Sequence, residues 1–167
     1  LSKRLYASEA TIRRDLTELE RRGFIKRLHG GAALLDSANR ELPLYVRQQQ
    51  NATAKQSIAA QAARYLKDGQ VIFLDASSTA MHLVKYFENF ENLTIITNGI
   101  QTARELNKLP HKTYCTGGMM PHHSEAYVGD YAVDFIRHFN ADLLSFSSRR
   151  LSEDGRITDA SPEETHV

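Results

Sequence analysis

Five residues, Asp75-Ala76-Ser77-Ser78-Thr79, have the types and order to bind an anion. They follow the short apolar run Val71-Ile72-Phe73-Leu74 and precede a helical pattern carrying Ala80, Leu83, Val84 and Phe87. Ser77, Ser78 and Thr79 offer hydroxyls, and at a helix N-terminus they also offer backbone N–H groups, which together suit a phosphate dianion. Asp75 is a poor partner for phosphate but a good acceptor for sugar hydroxyls. Two further strand ends carry small polar residues, Asn98-Gly99 after Thr94-Ile95-Ile96-Thr97 and Gly117-Gly118 after Thr113-Tyr114-Cys115-Thr116. These line the same crevice if the strands are neighbours. Taken singly each motif is weak, since Ser or Thr after a strand is most often just an ordinary helix cap; the repetition at successive strand ends is what points to a ligand.

The elements that must position these loops alternate. Apolar runs at 71–74, 94–97, 113–116 and 143–146 are separated by helical patterns, which predicts an α/β domain with a mainly parallel sheet and helices on both faces. Ligands of such sheets bind beyond the carboxyl ends of the strands. Runs as apolar as Val71–Leu74 imply strands buried on both faces, and Cys115 falls in one of them as a small buried residue. A preceding helix over 53–67 presents Ile58, Ala59, Ala62, Ala63 and Leu66 as its apolar face. Residues 36–52, with Asp36, Ser37, Asn39, Pro43 and three glutamines, show little periodicity and read as a linker.

A different chemistry lies at the N-terminal end. Ser8 is a ready N-cap and Gly23 a natural stop for a helix in which Ile12, Leu16 and Leu19 share one stripe. Ala10, Arg14, Thr17 and Arg21 fall on the opposite face, flanked by Thr11 and Arg13. That face suits a DNA major groove, and equally describes a solvated surface helix. Arg21 and Arg22 are also ordinary helix-end cations. Residues 1–6 read as the end of a preceding helix, giving a helix-turn-helix. Phe24 to Ala32 then reads as a β-wing: Phe24, Ile25 and Leu28 pack under the helix, Lys26, Arg27 and His29 face out, and Gly30-Gly31 makes the reversal. His29, beside two glycines, is best read as a turn residue. The chain's overall charge of +1 conceals a division, +4 over residues 1–35 and −3 over the rest, so the basic segment is the part suited to a polyanion.

Ser8-Glu9-Ala10-Thr11-Ile12-Arg13-Arg14-Asp15-Leu16, then Leu19-Glu20, Gly23 and Arg27-Leu28-His29-Gly30-Gly31-Ala32, resembles the winged-helix signature of the DeoR family of bacterial transcriptional regulators. The resemblance implies that Ser8, Thr11, Arg13 and Arg14 approach bases or phosphates and that Lys26, Arg27 and His29 contact the DNA backbone. It extends through Glu41-Leu42-Pro43-Leu44 to Arg47, Lys55 with Ile58-Ala59 and Ala62-Ala63, Asp75 to Thr79, Thr97-Asn98, Gly117-Gly118 and Val128-Gly129, which are similar to the family's effector domain. That domain is similar in fold to ribose-5-phosphate isomerase and coenzyme A transferases, and in the family it senses phosphorylated sugars. Two positions depart from the pattern. Ser77 stands where the family commonly has Gly, in a loop that would favour a left-handed residue, and Arg149-Arg150 stand where it has small residues. Arg149 either adds a phosphate or carboxylate contact or faces solvent.

The resulting expectation is a partial winged helix-turn-helix over 1–35, a linker over 36–52 and a sensor domain over 53–167, both ends reading as cut. The function expected is a DNA-binding regulator, a repressor of carbohydrate-metabolism genes responding to a phosphorylated sugar. Its effector residues are Asp75, Ser77, Ser78, Thr79, Asn98, Gly99, Gly117, Gly118 and Arg149. Operator DNA, the effector and further copies of the chain, as a dimer or tetramer, are the expected partners; no cofactor or metal is expected. The alternatives are a sugar-phosphate isomerase-like or coenzyme A transferase-like enzyme, with Asp75 and Glu125 as its candidates, and a bare effector or oligomerisation module. No run approaches the roughly 18 apolar residues of a membrane span, and the single Cys115 forms no internal disulfide, which fits a reducing cytoplasm. His122-His123 invites a metal reading, but adjacent histidines rarely share one ion and no third ligand completes the set.

Overall fold

The computed structural model describes residues 2–21, 24–34, 42, 44–121, 124–148, 150–158 and 161–167. It divides into two units, Leu1–Glu41 and Leu42–Val167.

In the first unit, α1 (Ser2–Leu5) turns at Tyr6 into α2 (Glu9–Arg21), and an antiparallel hairpin of β1 (Ile25–Leu28) and β2 (Gly31–Leu34) follows. Ser8 caps α2 as expected, its Oγ accepting the Thr11 N–H at 3.1 Å. Gly23 lies outside the described residues. Ile25 is buried beneath the helix, whereas Leu28, expected beside it, is 55% exposed. A strand alternates its faces, so Ile25 and Leu28, three apart, cannot both point inward.

In the second unit, β3 (Val71–Leu74), β4 (Thr94–Thr97), β5 (Lys112–Cys115) and β6 (Leu143–Ser145) form a parallel sheet in the order β5-β4-β3-β6. Ile72 pairs with Ile95 and with Leu143, and Leu74 with Thr97 and Ser145, so these residues share one face. A 3-10 helix (Ala80–Asn89), α4 (Ala52–Ala62) with the turn after it, and α5 (Ile100–Leu106) supply the side chains that cover that face. Phe87, Leu83, Leu93 and Leu106 are at most 1% exposed there. Each fully buried side chain of that size contributes about 1.5–3 kcal/mol.

The opposite face carries Phe73, Ile96, Tyr114 and Leu144 in register. Over its β5 side stands α6 (Asp130–Ile136), with Phe135 and Phe139 against the Tyr114 ring at 6.4 and 5.2 Å between centroids. Helices therefore flank both faces. Toward β6 the cover ends and Leu144 is 58% exposed, and β3 alternates between buried and half-buried positions rather than being buried on both faces as expected, whereas Ile95 and Ile96 of β4 are both buried. Cys115 is exposed rather than buried, because β5 is an edge strand. After β6 come a small hairpin, β7 (Arg150–Leu151) with β8 (Ile157–Thr158), and α7 (Pro162–His166) capped by Ser161.

The segment read as a linker contains a helix, α3 (Leu44–Gln49), and Leu44 is 5% exposed. Leu44, Tyr45 and Val46 fall together in the first turn and Arg47, Gln48 and Gln49 follow, so no helical repeat of apolar residues is present to read. The helix after it is α4, which ends at Ala62 in a 3-10 turn, and its Ile58, placed on the apolar face by the pattern, is 56% exposed. Ala59 and Leu66 hold the buried positions instead.

Candidate functional site

The loop after β3 is built by its own side chains. Asp75 Oδ1 accepts the Ser77 N–H at 2.9 Å, and Ser77 Oγ accepts the Ala80 N–H at 3.0 Å, which starts the 3-10 helix. Asp75 Oδ2 accepts the Ser147 N–H at 2.8 Å, while the Asp75 N–H donates to the Ser145 carbonyl at 3.1 Å, so β3 and β6 are tied together beyond their last ladder pair. Burial pushes the Asp75 carboxyl above the usual carboxylate range; hydrogen bonds from Ser77 and Ser147 and the charge of Arg47 oppose that shift. Ser77 holds no left-handed backbone: the positive-φ residues other than glycine are Tyr6, Asn51 and Asn92 among the described ones. Serine thus fits where a glycine was expected.

Ser78 is 5% exposed, and its Oγ accepts from Lys55 Nζ at 2.9 Å. The same Nζ donates to the Arg47 carbonyl. Burial and the Arg47 charge both lower the Lys55 pKa. The N–H groups of Ser78 and Thr79 have no acceptor among the described residues. The site therefore presents two free N–H donors, hydroxyls and a lysine, with a buried carboxylate already engaged by backbone. This combination favours an anion held by short, charge-assisted bonds. Lys55 and Arg47 were not among the site residues expected. The available signal was Lys55's position on the buried stripe of α4, in register with Ala59 and Ala62, where a lysine has no packing role.

Gly99 abuts this loop directly. A Cβ there would lie 2.9 Å from Ala76 Cα and 2.8 Å from Thr102 Oγ1, so only glycine allows β4's end to close on β3's. Asn98 is committed to a strap: its Nδ2 donates to the Tyr127 carbonyl at 3.1 Å, and the Tyr127 N–H donates to the Asn98 carbonyl at 2.8 Å. The strap continues with Ile100 N–H to the Glu125 carbonyl at 2.9 Å and a bridge between Met119 and Val128. Gly118, at φ 117°, packs against Val128 and Ala132, where a Cβ would come within 2.7 Å of the Val128 carbonyl oxygen. Asp75, Ser77, Ser78, Thr79 and Gly99 thus come together, whereas Asn98 is engaged with the strap and Gly118 with Val128 and α6, and the Gly117 carbonyl accepts the Thr116 hydroxyl. Arg149, His122 and His123 lie outside the described residues. No group of three metal-ligating side chains occurs among the described residues. Beside the loop, a groove of about 720 Å³ runs past Tyr45, Gln48, Met81, His82, Gln101 and Glu125.

In the N-terminal unit the basic residues divide. Arg21 makes a two-point bond to Glu18 at 2.8 and 2.6 Å, and the Arg27 guanidinium donates to Thr17 at 3.1 Å, so both are held along α2. The Arg27 N–H donates to Glu20. Arg13 and Arg14 face solvent, with Glu9 and Asp15 at 4.0 and 3.8 Å. Exposed pairs at such distances are worth about 0–1 kcal/mol, so these guanidiniums are readily redirected to a phosphate. Lys26 and His29 are exposed, and Ser8 Oγ and Thr11 Oγ1 lie 2.9 Å apart at the start of α2.

Comparison with known proteins follows the same division. The family model for the DeoR-like helix-turn-helix domain matches residues 1–38, and that for the DeoR C terminal sensor domain matches residues 50–167. The HTH-type transcriptional regulator GolR of Listeria innocua is 39% identical over all of this chain and 66% of its own length. The HTH-type transcriptional regulator GlpR of Haloferax volcanii is 36% identical with the same coverage. An L-fucose operon activator of Escherichia coli is 31% identical over 96% of this chain and 67% of its own. The chain thus spans about two thirds of the length of these relatives. A solved ribose 5-phosphate isomerase from Plasmodium falciparum shares 19% identity over 40% of the chain at a TM-score of 0.33, too slight a likeness to bear on function.

Proposed function

From membership of the DeoR family of transcriptional regulators, to which this chain belongs, we propose that it is a sugar-phosphate-responsive, DNA-binding regulator of carbohydrate genes. It acts in the cytoplasm as a homo-oligomer, whose paired α2 helices meet two half-sites of an operator. The observation that carries the sensor half is the loop at Ser78 and Thr79, with two N–H donors free and Lys55 Nζ on the Ser78 hydroxyl. A phosphate group takes those donors, and Arg47 and Lys55 supply the balancing charge. The DNA half rests on α2, where Arg13 and Arg14 are exposed beside the Ser8–Thr11 cap. Arg21 and Arg27 serve α2 itself. Repression is the favoured sense, since effector binding then shifts the population away from the operator-binding state.

The isomerase-like or transferase-like reading is weaker. Asp75, its main candidate, spends both oxygens on backbone N–H groups, and Glu125 enters the structure through its carbonyl rather than its carboxylate. The test is fluorescence anisotropy of a labelled duplex over a salt series, repeated with a panel of sugar phosphates. Affinity should fall steeply with salt, and one panel member should weaken it further at constant salt. Salt-independent binding, or no response to any phosphorylated sugar, would contradict the reading.

A further inference from the structure

The groove beside the anion loop is walled by polar side chains that the fold itself does not use. It lies wholly within the second unit, between α3, the 3-10 helix, α5 and the strap. Its volume of about 720 Å³ falls in the range of roughly 300–1,000 Å³ typical of small-molecule sites. The Gln101 side chain, in the first turn of α5, and the Glu125 carboxylate, on the strap, have no hydrogen-bond or ion-pair partner among the described residues. Gln48, on α3, spends an amide N–H on the Met81 thioether, a weak acceptor, and its side-chain carbonyl is unpaired among the described residues. His82 Nε2, on the 3-10 helix, is enclosed and likewise meets no partner among them. Enclosed polar groups are normally paired, and here an unpaired set from four elements lines one groove. Each wall is tied to the anion loop. The His82 N–H donates to the Thr79 carbonyl at 3.1 Å, Gln48 follows Arg47, whose carbonyl accepts Lys55 Nζ, and Gln101 lies two residues after Gly99, which abuts Ala76.

Resting on the reading of Ser78 and Thr79 as the anion site, we propose that this groove seats the uncharged, hydroxyl-bearing body of a sugar monophosphate, and that Gln48, Gln101 and Glu125 select the sugar. A sugar hydroxyl both donates and accepts. The two amides offer both functions, and a carboxylate accepts strongly, so the set matches a run of hydroxyls. A body without hydroxyls leaves these groups unpaired, which is how a polar site rejects an analogue. Tyr45 and Met81 provide an apolar stretch of wall for the C–H face of the sugar. The charge of the groove fits a neutral body. Three glutamates line it against two lysines; Lys108 pairs with Glu105, and Lys85 lies over the Tyr86 ring. No surplus of positive charge awaits a second phosphate.

Calorimetric titration of the full chain tests this, with inorganic phosphate and a panel of pentose, hexose and hexitol monophosphates as ligands. At least one panel member should bind wild type about tenfold or more tighter than inorganic phosphate, the gain from one or two added hydrogen bonds. Its bisphosphate counterpart should bind no tighter. Gln48→Leu and Gln101→Leu should each weaken that member about fivefold or more, while inorganic phosphate binds them as it binds wild type. Glu125→Ala, at an exposed position, should do the same and serves where a half-buried glutamine does not tolerate leucine. If inorganic phosphate binds but no panel member exceeds it, the groove is not the sugar site and the anion site stands. Unchanged affinity for the sugar phosphate in all three variants, or an equal loss of inorganic phosphate, also overturns the selecting role. A tighter bisphosphate overturns the neutral body. If neither inorganic phosphate nor any panel member binds, the anion site falls and the groove proposal with it.

Discussion

Asp75 Oδ2 accepts the backbone N–H of Ser147 at 2.8 Å, joining the ends of two parallel strands that are 72 residues apart in the chain. With Ser77 on its other oxygen, the carboxylate sets the exit of β3, the entry to the anion loop and the exit of β6 at once. Asp75 positions the loop; it does not reach out from it. In the proposed sensor reading, the ligand-facing parts are the N–H groups of Ser78 and Thr79 and the ammonium of Lys55.

Asp75→Ala should therefore act on stability first. It strips the acceptor from two partly buried N–H groups, each costing about 1–3 kcal/mol when left unpaired. A loss of about 2–4 kcal/mol in denaturant unfolding is expected, and Asp75→Asn, which keeps one acceptor oxygen, should lose about half as much. An Asp75→Ala chain as stable as wild type would contradict the bracing role.

The raised Asp75 pKa gives a pH dependence of definite sign. Between the ordinary carboxylate value and the raised one, the folded chain binds more protons than the unfolded chain. Stability from this group is thus fully present below about pH 4 and is lost as pH rises through the folded pKa. Measured against Asp75→Asn, wild type should have its largest relative stability at the acid end. A relative stability that increases with pH through that window would contradict the assignment.

Gly99→Ala should disturb the loop without touching a ligand. Its Cβ would meet Ala76 Cα, a backbone atom that cannot swing aside. The expected cost is about 1–3 kcal/mol of overpacking, with weakened phosphate binding and an unchanged response of DNA affinity to salt. Truncating Thr102 to Ala should not rescue it, because the clash with Ala76 remains.

The parallel sheet and the strand-end loops were legible because apolar runs and small polar residues recur at a fixed relation along the chain. What escaped reading depended on contacts between distant residues. Ile58 looked apolar-facing by spacing, yet the buried stripe of α4 runs through Ala59, where the close approach of the 3-10 helix favours a small side chain. Lys55 lies on that stripe because it has a carbonyl and a hydroxyl to meet, and neither partner is local in sequence. Helix α3 was hidden by its shortness, since six residues present too little period to read. Burial of Cys115 and Leu144 was overestimated because an apolar run carries no record of whether its strand lies at the sheet's edge.

On the DNA side, replacing Arg13 and Arg14 together by Ala should reduce the salt-dependence slope of duplex binding by about 2 and weaken affinity accordingly. Arg21→Ala should leave the slope nearly unchanged, because its guanidinium is engaged by Glu18. Equal effects from Arg21 and from Arg13 would mean that a different face of α2 meets the phosphates.

The most direct measurement is a thermal-shift screen of sugar phosphates beside their unphosphorylated sugars, on wild type and on Ser78→Ala/Thr79→Ala. At least one sugar phosphate should raise the wild-type melting temperature while its parent sugar does not, and the double variant, still folded, should lose that shift. Equal stabilisation of wild type and variant, or stabilisation by the parent sugar alone, would contradict a phosphate site at the β3 loop.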